Sequence, residues 1–200
     1  MLYRDSAYFL ALRQQVIPHL RTFPSIKVWV AGCSSGEELY SLAILFREEG
    51  LEPKTMFYGT DIDTDSLRKA ESGIYSLDRV ADFSRNNVTG GGESSLSDYY
   101  TAAYGDAVFD SSLRQRMVFS DHSLAADAVF AEMQLISCRN VLIYFDPPLQ
   151  DRAIGLFSES LVRGGFLGLG ATENLRFSSH ASDFTSFCKD ERIYRKGNPV

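Results

Sequence analysis

The sequence predicts a doubly wound α/β fold: a mostly parallel sheet with helices on both faces and an antiparallel end. Three observations predict it. Short apolar runs such as K-V-W-V-A, Lys27 to Ala31, lack polar alternation, as strands buried on both faces do. Stretches with apolar residues at helical spacing follow them through glycine-containing turns, which is the rhythm of strand-helix-strand units. Two β-rich pieces flanking K-D-E close the chain as a hairpin. The 200 residues amount to one domain, expected over 1–200, with 86–118 as a loop and small β insert.

Ser6 to Leu20 carries Phe9, Leu10, Leu12, Val16, Ile17 and Leu20 near helical spacing, so an amphipathic helix is expected with Ser6 as N-cap and a break near Ile17, ahead of Pro18. Arg4, Arg13, Arg21 and Lys27 make this stretch locally basic, the mark of a solvated face. The strand to Ala31 leads through C-S-S-G into a helix with Leu39, Leu42, Ala43 and Phe46 on one face and Gly50 as its stop. Met56 to Thr60 is the second strand, followed by a helix capped by Asp63 or Thr64 and stopped at Gly73. Asn86 to Ser97, with N-N-V-T-G-G-G-E-S-S, is expected as a loop, and Tyr99 to Phe119 as an antiparallel excursion. Met133 to Ser137 is a strand; Asp146 and Pro147 open a helix that ends at Gly164 and Gly165. Phe166 to Gly170, Phe184 to Cys188 and Arg192 to Lys196 complete the strands.

Composition narrows the function classes. With 44% hydrophobic and 23% charged residues the chain is an ordinary globular protein, and a net charge of −6 is the wrong sign for a surface that neutralises nucleic-acid phosphates or anionic lipid. Three cysteines, Cys33, Cys138 and Cys188, point to reduced thiols in a cytoplasmic protein, with Cys33 and Cys138 packing as small apolar residues. Apolar runs are too short to span a bilayer, and no Cys or His spacing suggests a metal; His19, His122 and His180 read as surface or capping residues.

Open α/β sheets bind ligands at the carboxyl ends of their strands, so the informative residues follow Ala31, Thr60, Ser137 and Gly170. A-G-C-S-S-G-E-E, Ala31 to Glu38, sets Gly32 and Gly36 between strand and helix, where backbone can approach a nucleotide-like ligand. Glu37 and Glu38 in the first helical turn would repel phosphate, so the ligand lacks one. Asp61, 25 residues beyond Gly36, stands near the offset at which an acid accepts ribose hydroxyls. A nucleoside without phosphate and with a cationic centre fits both observations: S-adenosylmethionine.

Four motifs sharpen this. V-W-V-A-G-C-S-S-G-E-E-L-Y-S-L-A, Y-G-T-D-I-D-T-D-S-L-R-K-A-E-S-G-I-Y, S-C-R-N-V-L-I-Y-F-D and G-A-T-E-N-L, in that order from Val28 to Leu175, closely resemble the chemotaxis receptor methyltransferases, the CheR family. The resemblance implies a class I S-adenosylmethionine-dependent, Rossmann-like methyltransferase that forms γ-glutamyl methyl esters on a chemoreceptor or related signalling protein and yields S-adenosylhomocysteine. Carried over by motif, Ala31, Gly32 and Glu38 line the cofactor, Asp61 holds the ribose, and Arg139 with Asn140 contact it from the next loop. Ser123 and Leu124 match the adenine-side pair, although the family usually has Asn where Ser123 stands. Arg4 in L-Y-R-D matches the arginine near the transferring methyl, and Tyr144 the active-site tyrosine. A catalytically degenerate module that binds S-adenosylmethionine or S-adenosylhomocysteine is the alternative. Family members carry a helical N-terminal domain upstream of the Arg4 motif; the expectation here is that one wall of the pocket is missing, is supplied by a separate partner, or is lost with a truncated reading frame.

The implied chemistry is consistent with the residue types. A glutamate side chain, with an ordinary pKa near 4.3, is already an anion at neutral pH, so no general base is called for and no catalytic Ser/His/Asp set is expected. What remains is orientation, which can contribute roughly 7–11 kcal/mol.

Overall fold

The computed structural model describes residues 5–197, apart from the side chains of residues 79 and 81–85, so Arg4 lies outside the described residues. The chain begins with α1 (Ser6–Ala11), a π-helical turn (Leu12–Val16) and α2 (Ile17–Leu20). Its N-cap is Asp5 rather than Ser6, and the helix continues past Ile17. The expected break is instead a widening one turn earlier, where the Ile17 N–H reaches the Leu12 carbonyl. Pro18 supplies no N–H to the preceding turn, which explains why the ladder loosens there.

Next come β1 (Ile26–Ala31), α3 (Glu37–Glu48), β2 (Thr55–Asp61), α4 (Thr64–Ser72), β3 (Ile74–Ser76) and α5 (Leu77–Thr89). Then follow β4 (Tyr100–Ala103), β5 (Asp106–Phe109), α6 (Ser111–Arg114), β6 (Met117–Asp121), β7 (Met133–Cys138), α7 (Pro147–Ser160), β8 (Leu161–Leu169), β9 (Phe184–Cys188) and β10 (Ile193–Lys196). The main sheet runs β6-β2-β1-β7-β8-β10-β9. Its first five strands are parallel, and β10 is antiparallel to both β8 and β9. The strand order reverses between β1 and β7, which opens a crevice beyond their carboxyl ends.

Strand residues alternate between two cores. Val28 and Val30 face the cluster built with α1, α2 and α3, while Trp29 and Ala31 face the one beneath α7. The Trp29 indole donates to Thr60 Oγ1 at 2.8 Å, so the largest buried side chain also ties β1 to β2. Among the described residues no helix is long and apolar enough to cross a membrane.

Several sequence expectations shift. The loop expected over Asn86 to Ser97 begins only at Gly90, since Asn86 to Thr89 form the last turn of α5, where Asn87 is buried and its amide donates to the Ser94 carbonyl at 3.1 Å, a tertiary contact that overrides weak helix propensity. The antiparallel excursion is β3-β5-β4, which recruits Ile74–Ser76 beyond the Gly73 stop. β6 leaves it for the edge of the main sheet, and Asp110 is the N-cap of α6. α7 ends at Ser160 instead of Gly164, since Leu161 pairs with Met133 and the two glycines fall at the irregularity in β8. Asp63 and Asp146 cap as the sequence implies, accepting from Asp65 N at 3.1 Å and Leu149 N at 3.0 Å.

The basic N-terminal stretch is not simply solvated. Arg13 donates to Glu48 Oε2 at 2.5 Å and Glu49 Oε1 at 2.7 Å, and Arg21 to Glu49 Oε2 at 2.6 Å, pinning the first helices to the end of α3. The Arg13 and Glu48 side chains are 9% and 2% exposed, so losing one partner strands a buried charge. An Arg13→Ala variant is expected to lose about 3 kcal/mol of stability in urea unfolding at neutral pH; a loss below about 1 kcal/mol would show that the pair is not effectively buried.

Candidate functional site

The site begins where β1 ends. The N–H groups of Gly32 and Cys33 both donate to the Thr60 carbonyl, at 2.8 and 2.9 Å, so the loop folds back over the tip of β2. Three of its residues, Gly32, Ser34 and Gly36, have positive φ of 72°, 48° and 85°. Gly32 is required twice over: by that φ, and because a Cβ there would collide with the Val141 side chain. Ser34 bears the strain of the left-handed region, and its N–H is held by Asp61 Oδ2 at 2.7 Å. The other carboxylate oxygen accepts from Asp63 N at 3.0 Å. Asp61 is therefore oriented by backbone on both sides, and each oxygen keeps a lone pair for a further donor.

Two adjoining cavities open there. One, of about 610 Å³, is lined by Gly32, Ser34, Asp61, Ile62, Ser123, Leu124, Asn140, Val141 and Tyr144, with His122, Ala125, Phe145 and Leu149. The other, of about 250 Å³, is lined by Ala31, Gly32, Cys33, Ser34, Glu37, Glu38, Arg139 and Asn140, with Val30 and Ser35. Gly32, Ser34 and Asn140 belong to both. Among the described residues, every sequence-derived site residue lies on one cavity or the other. Tyr144 stands at the mouth, 81% exposed. Ser123 is occupied locally: its N–H donates to Asp127 Oδ2 at 2.7 Å and its Oγ accepts from Ala125 N at 3.3 Å.

Beneath the smaller cavity lies a polar group that sequence reading did not anticipate. Tyr8 OH and Ser137 Oγ are 2.9 Å apart, Ser137 Oγ donates to Glu38 Oε1 at 2.5 Å, and Arg139 stands 3.6 Å from Glu38 Oε2. Arg139 is 3% exposed, lies 4.0 Å from the centre of the Tyr8 ring, and pairs with Asp5. Its guanidinium acts chiefly as the counter-charge of this layer. Burial pushes the Glu38 carboxyl above its ordinary value, against the opposing effects of Arg139 and the Ser137 hydroxyl. Burial, with Asp61 nearby, raises the Cys33 thiol to about 12, which leaves it a packing residue.

Glu173, in the loop after β8, gathers four backbone donors. Oε2 accepts from Gly170 N at 2.6 Å and Asn140 N at 3.0 Å, and Oε1 from Val141 N at 2.9 Å and Leu142 N at 2.8 Å. Asn140, at the centre, has φ of 58°. The G-A-T-E-N-L motif contains both Glu173 and Gly170, but the other three donors lie on another loop, so no local pattern reveals the full role. His122 is likewise more than a surface residue: it lines the larger cavity and packs edge-on against Trp29, with ring centres 5.3 Å apart.

A family model described as the CheR methyltransferase, SAM-binding domain, matches residues 1–192. The chain belongs to the CheR methyltransferase family. It is 55% identical over 195 residues to a Pseudomonas putida protein named "Putative methyltransferase Cher3", covering 98% of this chain and 71% of that one. It is 30% identical over 183 residues to the chemotaxis protein methyltransferase of Vibrio anguillarum, covering 86% of this chain and 63% of the relative. The chain thus spans less than two thirds of that Vibrio protein's length. Among solved structures, the glycopeptide N-methyltransferase MtfA complexed with sinefungin aligns over 84% of this chain and 48% of its own, at 13% identity and a TM-score of 0.49.

This CheR-family domain has the class I methyltransferase fold, and S-adenosylmethionine is its cofactor. The residues present suit that group. Glu37 and Glu38 in the first turn of α3 offer negative charge where a phosphate ligand would need the opposite, and Asp61 has lone pairs open for hydroxyl donors.

The raised Glu38 value carries a sign. An acid whose folded-state pKa exceeds the unfolded one binds its proton more tightly when folded, so its contribution is present below the ordinary glutamate value and lost as pH rises through the raised folded value. Urea unfolding of wild type and Glu38→Gln from pH 4.5 to 7 is expected to show the variant gaining stability relative to wild type as pH rises; a constant difference would mean that Glu38 titrates normally.

Proposed function

We propose that this domain transfers the methyl group of S-adenosylmethionine to a glutamate side chain of a chemoreceptor or related cytoplasmic signalling protein, forming a γ-glutamyl methyl ester. Residues 1–200 act as the catalytic unit, with 86–118 as an insert within it. The observation that carries this reading is the joined pair of cavities, with Asn140 at their junction, Asp61 on the larger one and exposed Tyr144 at the mouth.

When bound, the cofactor supplies an electrophilic methyl on a sulfonium. Asp61 would accept the ribose hydroxyls, while its contact with the Ser34 N–H keeps the Gly32–Gly36 loop in place. Ile62, Leu124, Val141 and Leu149 give the larger cavity the apolar walls that a purine face favours. Glu38 and the loop from Arg139 to Asn140 bound the smaller cavity, where the amino-acid end belongs. Tyr144 donates a hydrogen bond to one oxygen of the incoming carboxylate and leaves the other free to attack. Arg4 is placed by motif beside that carboxylate. No proton has to be removed from the acceptor, so these side chains orient and neutralise rather than act as bases. Exposed Ile62 and Tyr144 give the rim of the larger cavity an apolar surface for a protein substrate.

The direct test incubates the protein with methyl-labelled cofactor and a chemoreceptor cytoplasmic fragment. Base-labile label on glutamate is expected; cofactor binding without transfer would favour the regulatory alternative. Tyr144→Phe is expected to lower kcat by about tenfold, the loss of one hydrogen bond of about 1.4 kcal/mol, with S-adenosylhomocysteine affinity within twofold of wild type by calorimetry. A tenfold loss of that affinity would instead place Tyr144 in cofactor binding.

A further inference from the structure

Glu173 lines neither of the two cavities, yet it is 5% exposed and accepts four backbone N–H groups, three of them from the consecutive residues Asn140, Val141 and Leu142. Consecutive amides converging on one point form a seat for an anion, and such seats commonly hold a ligand's phosphate. Here the chain's own carboxylate fills it. The loop so gripped has Asn140 in the left-handed region, shared by both cavities, and continues into the turn that sets Tyr144, whose N–H donates to the Val141 carbonyl at 3.1 Å. Buried amides without an acceptor are unfavourable, so the loop keeps this shape only while the carboxylate remains.

We propose that Glu173 is a positioning residue for cofactor binding: by satisfying the amides of Gly170, Asn140, Val141 and Leu142, it presets the Asn140 wall common to the two cavities before the cofactor arrives. The affinity gain comes from preorganisation, because the ordering of the loop has already been met in folding. A glutamine at this position has one acceptor oxygen in place of two and turns an NH₂ group toward backbone donors. Gly170 permits an independent perturbation that leaves the charge in place. A Cβ there would lie 2.6 Å from Glu173 Oε2 and 2.9 Å from Asn140 N, wedging the carboxylate out of its seat.

This assignment rests on the proposed placement of the cofactor across the two cavities. The test is calorimetric titration with S-adenosylhomocysteine of wild type, Glu173→Gln, Gly170→Ala, Asp61→Ala and Leu20→Ala, at a temperature where each is folded by circular dichroism. Leu20 is buried before the start of β1, away from the strand tips, and serves as the stability control. Glu173→Gln and Gly170→Ala are expected to bind at least tenfold more weakly, and Leu20→Ala within twofold of wild type. If Glu173→Gln fails to fold, Gly170→Ala decides. Affinity within twofold of wild type in Gly170→Ala and in a folded Glu173→Gln, with a loss in Asp61→Ala, overturns the role of Glu173 alone. An equal loss in Leu20→Ala reduces the effect to general destabilisation and also overturns it. Undiminished affinity in Asp61→Ala overturns the cofactor placement and this inference with it.

Discussion

The arrangement depends on how β1 ends. A parallel sheet whose strand order reverses leaves the tip of its central strand uncovered, and the chain must turn sharply there to start a helix. It does so through three left-handed residues, with the loop stapled to the end of β2 by the Thr60 carbonyl and the Asp61 carboxylate. A polar ligand requires backbone within reach, and that approach exists only because Gly32 has no side chain to meet Val141. The same staple aims Asp61, so the geometry of the turn and the chemistry of the cleft are one constraint.

A second layer supports the first from below. Tyr8, Ser137 and Arg139, buried, with the partly exposed Glu38 and Asp5, form a polar group under the strand tips. A carboxylate buried without partners would cost several kcal/mol, whereas here it faces a guanidinium and a hydroxyl, so the remaining penalty appears only as a raised proton affinity. The N-terminal helix is thereby part of the floor of the smaller cavity as well as of the core. Glu173 plays the matching part on the other side, where one carboxylate replaces three separate partners for the loop after β7 and a fourth for Gly170 after β8.

What the sequence made legible was local or continuous. The apolar runs of β1, β2 and β7 show in the sequence because both faces are buried, and Asp63 and Asp146 show as caps because their partners lie two or three residues away. Gly32, Glu38 and Asp61 stand out because the chemistry of strand tips constrains residue type. Long-range partnerships did not show. Arg13 looks like a surface charge until Glu48 arrives 35 residues later, Gly164 looks like a helix stop until β7 captures Leu161, and Asn86 looks like a loop until Asn87 is buried. Tyr8 sat among ordinary apolar positions, with nothing nearby to mark the Ser137 hydroxyl it would meet across 129 residues.

The central claim is that the turn after β1 and the loop after β7 together enclose one nucleoside site. A crystal structure with S-adenosylhomocysteine tests it most directly. The account predicts the ribose hydroxyls on Asp61, the base against Leu124 and Ile62, the amino-acid end beside Glu38, and a Gly32–Gly36 loop unmoved from its present course. Density for the nucleoside elsewhere, such as the groove lined by Arg176, Lys189 and Arg192, with Asp61 still bonded only to backbone, would contradict it.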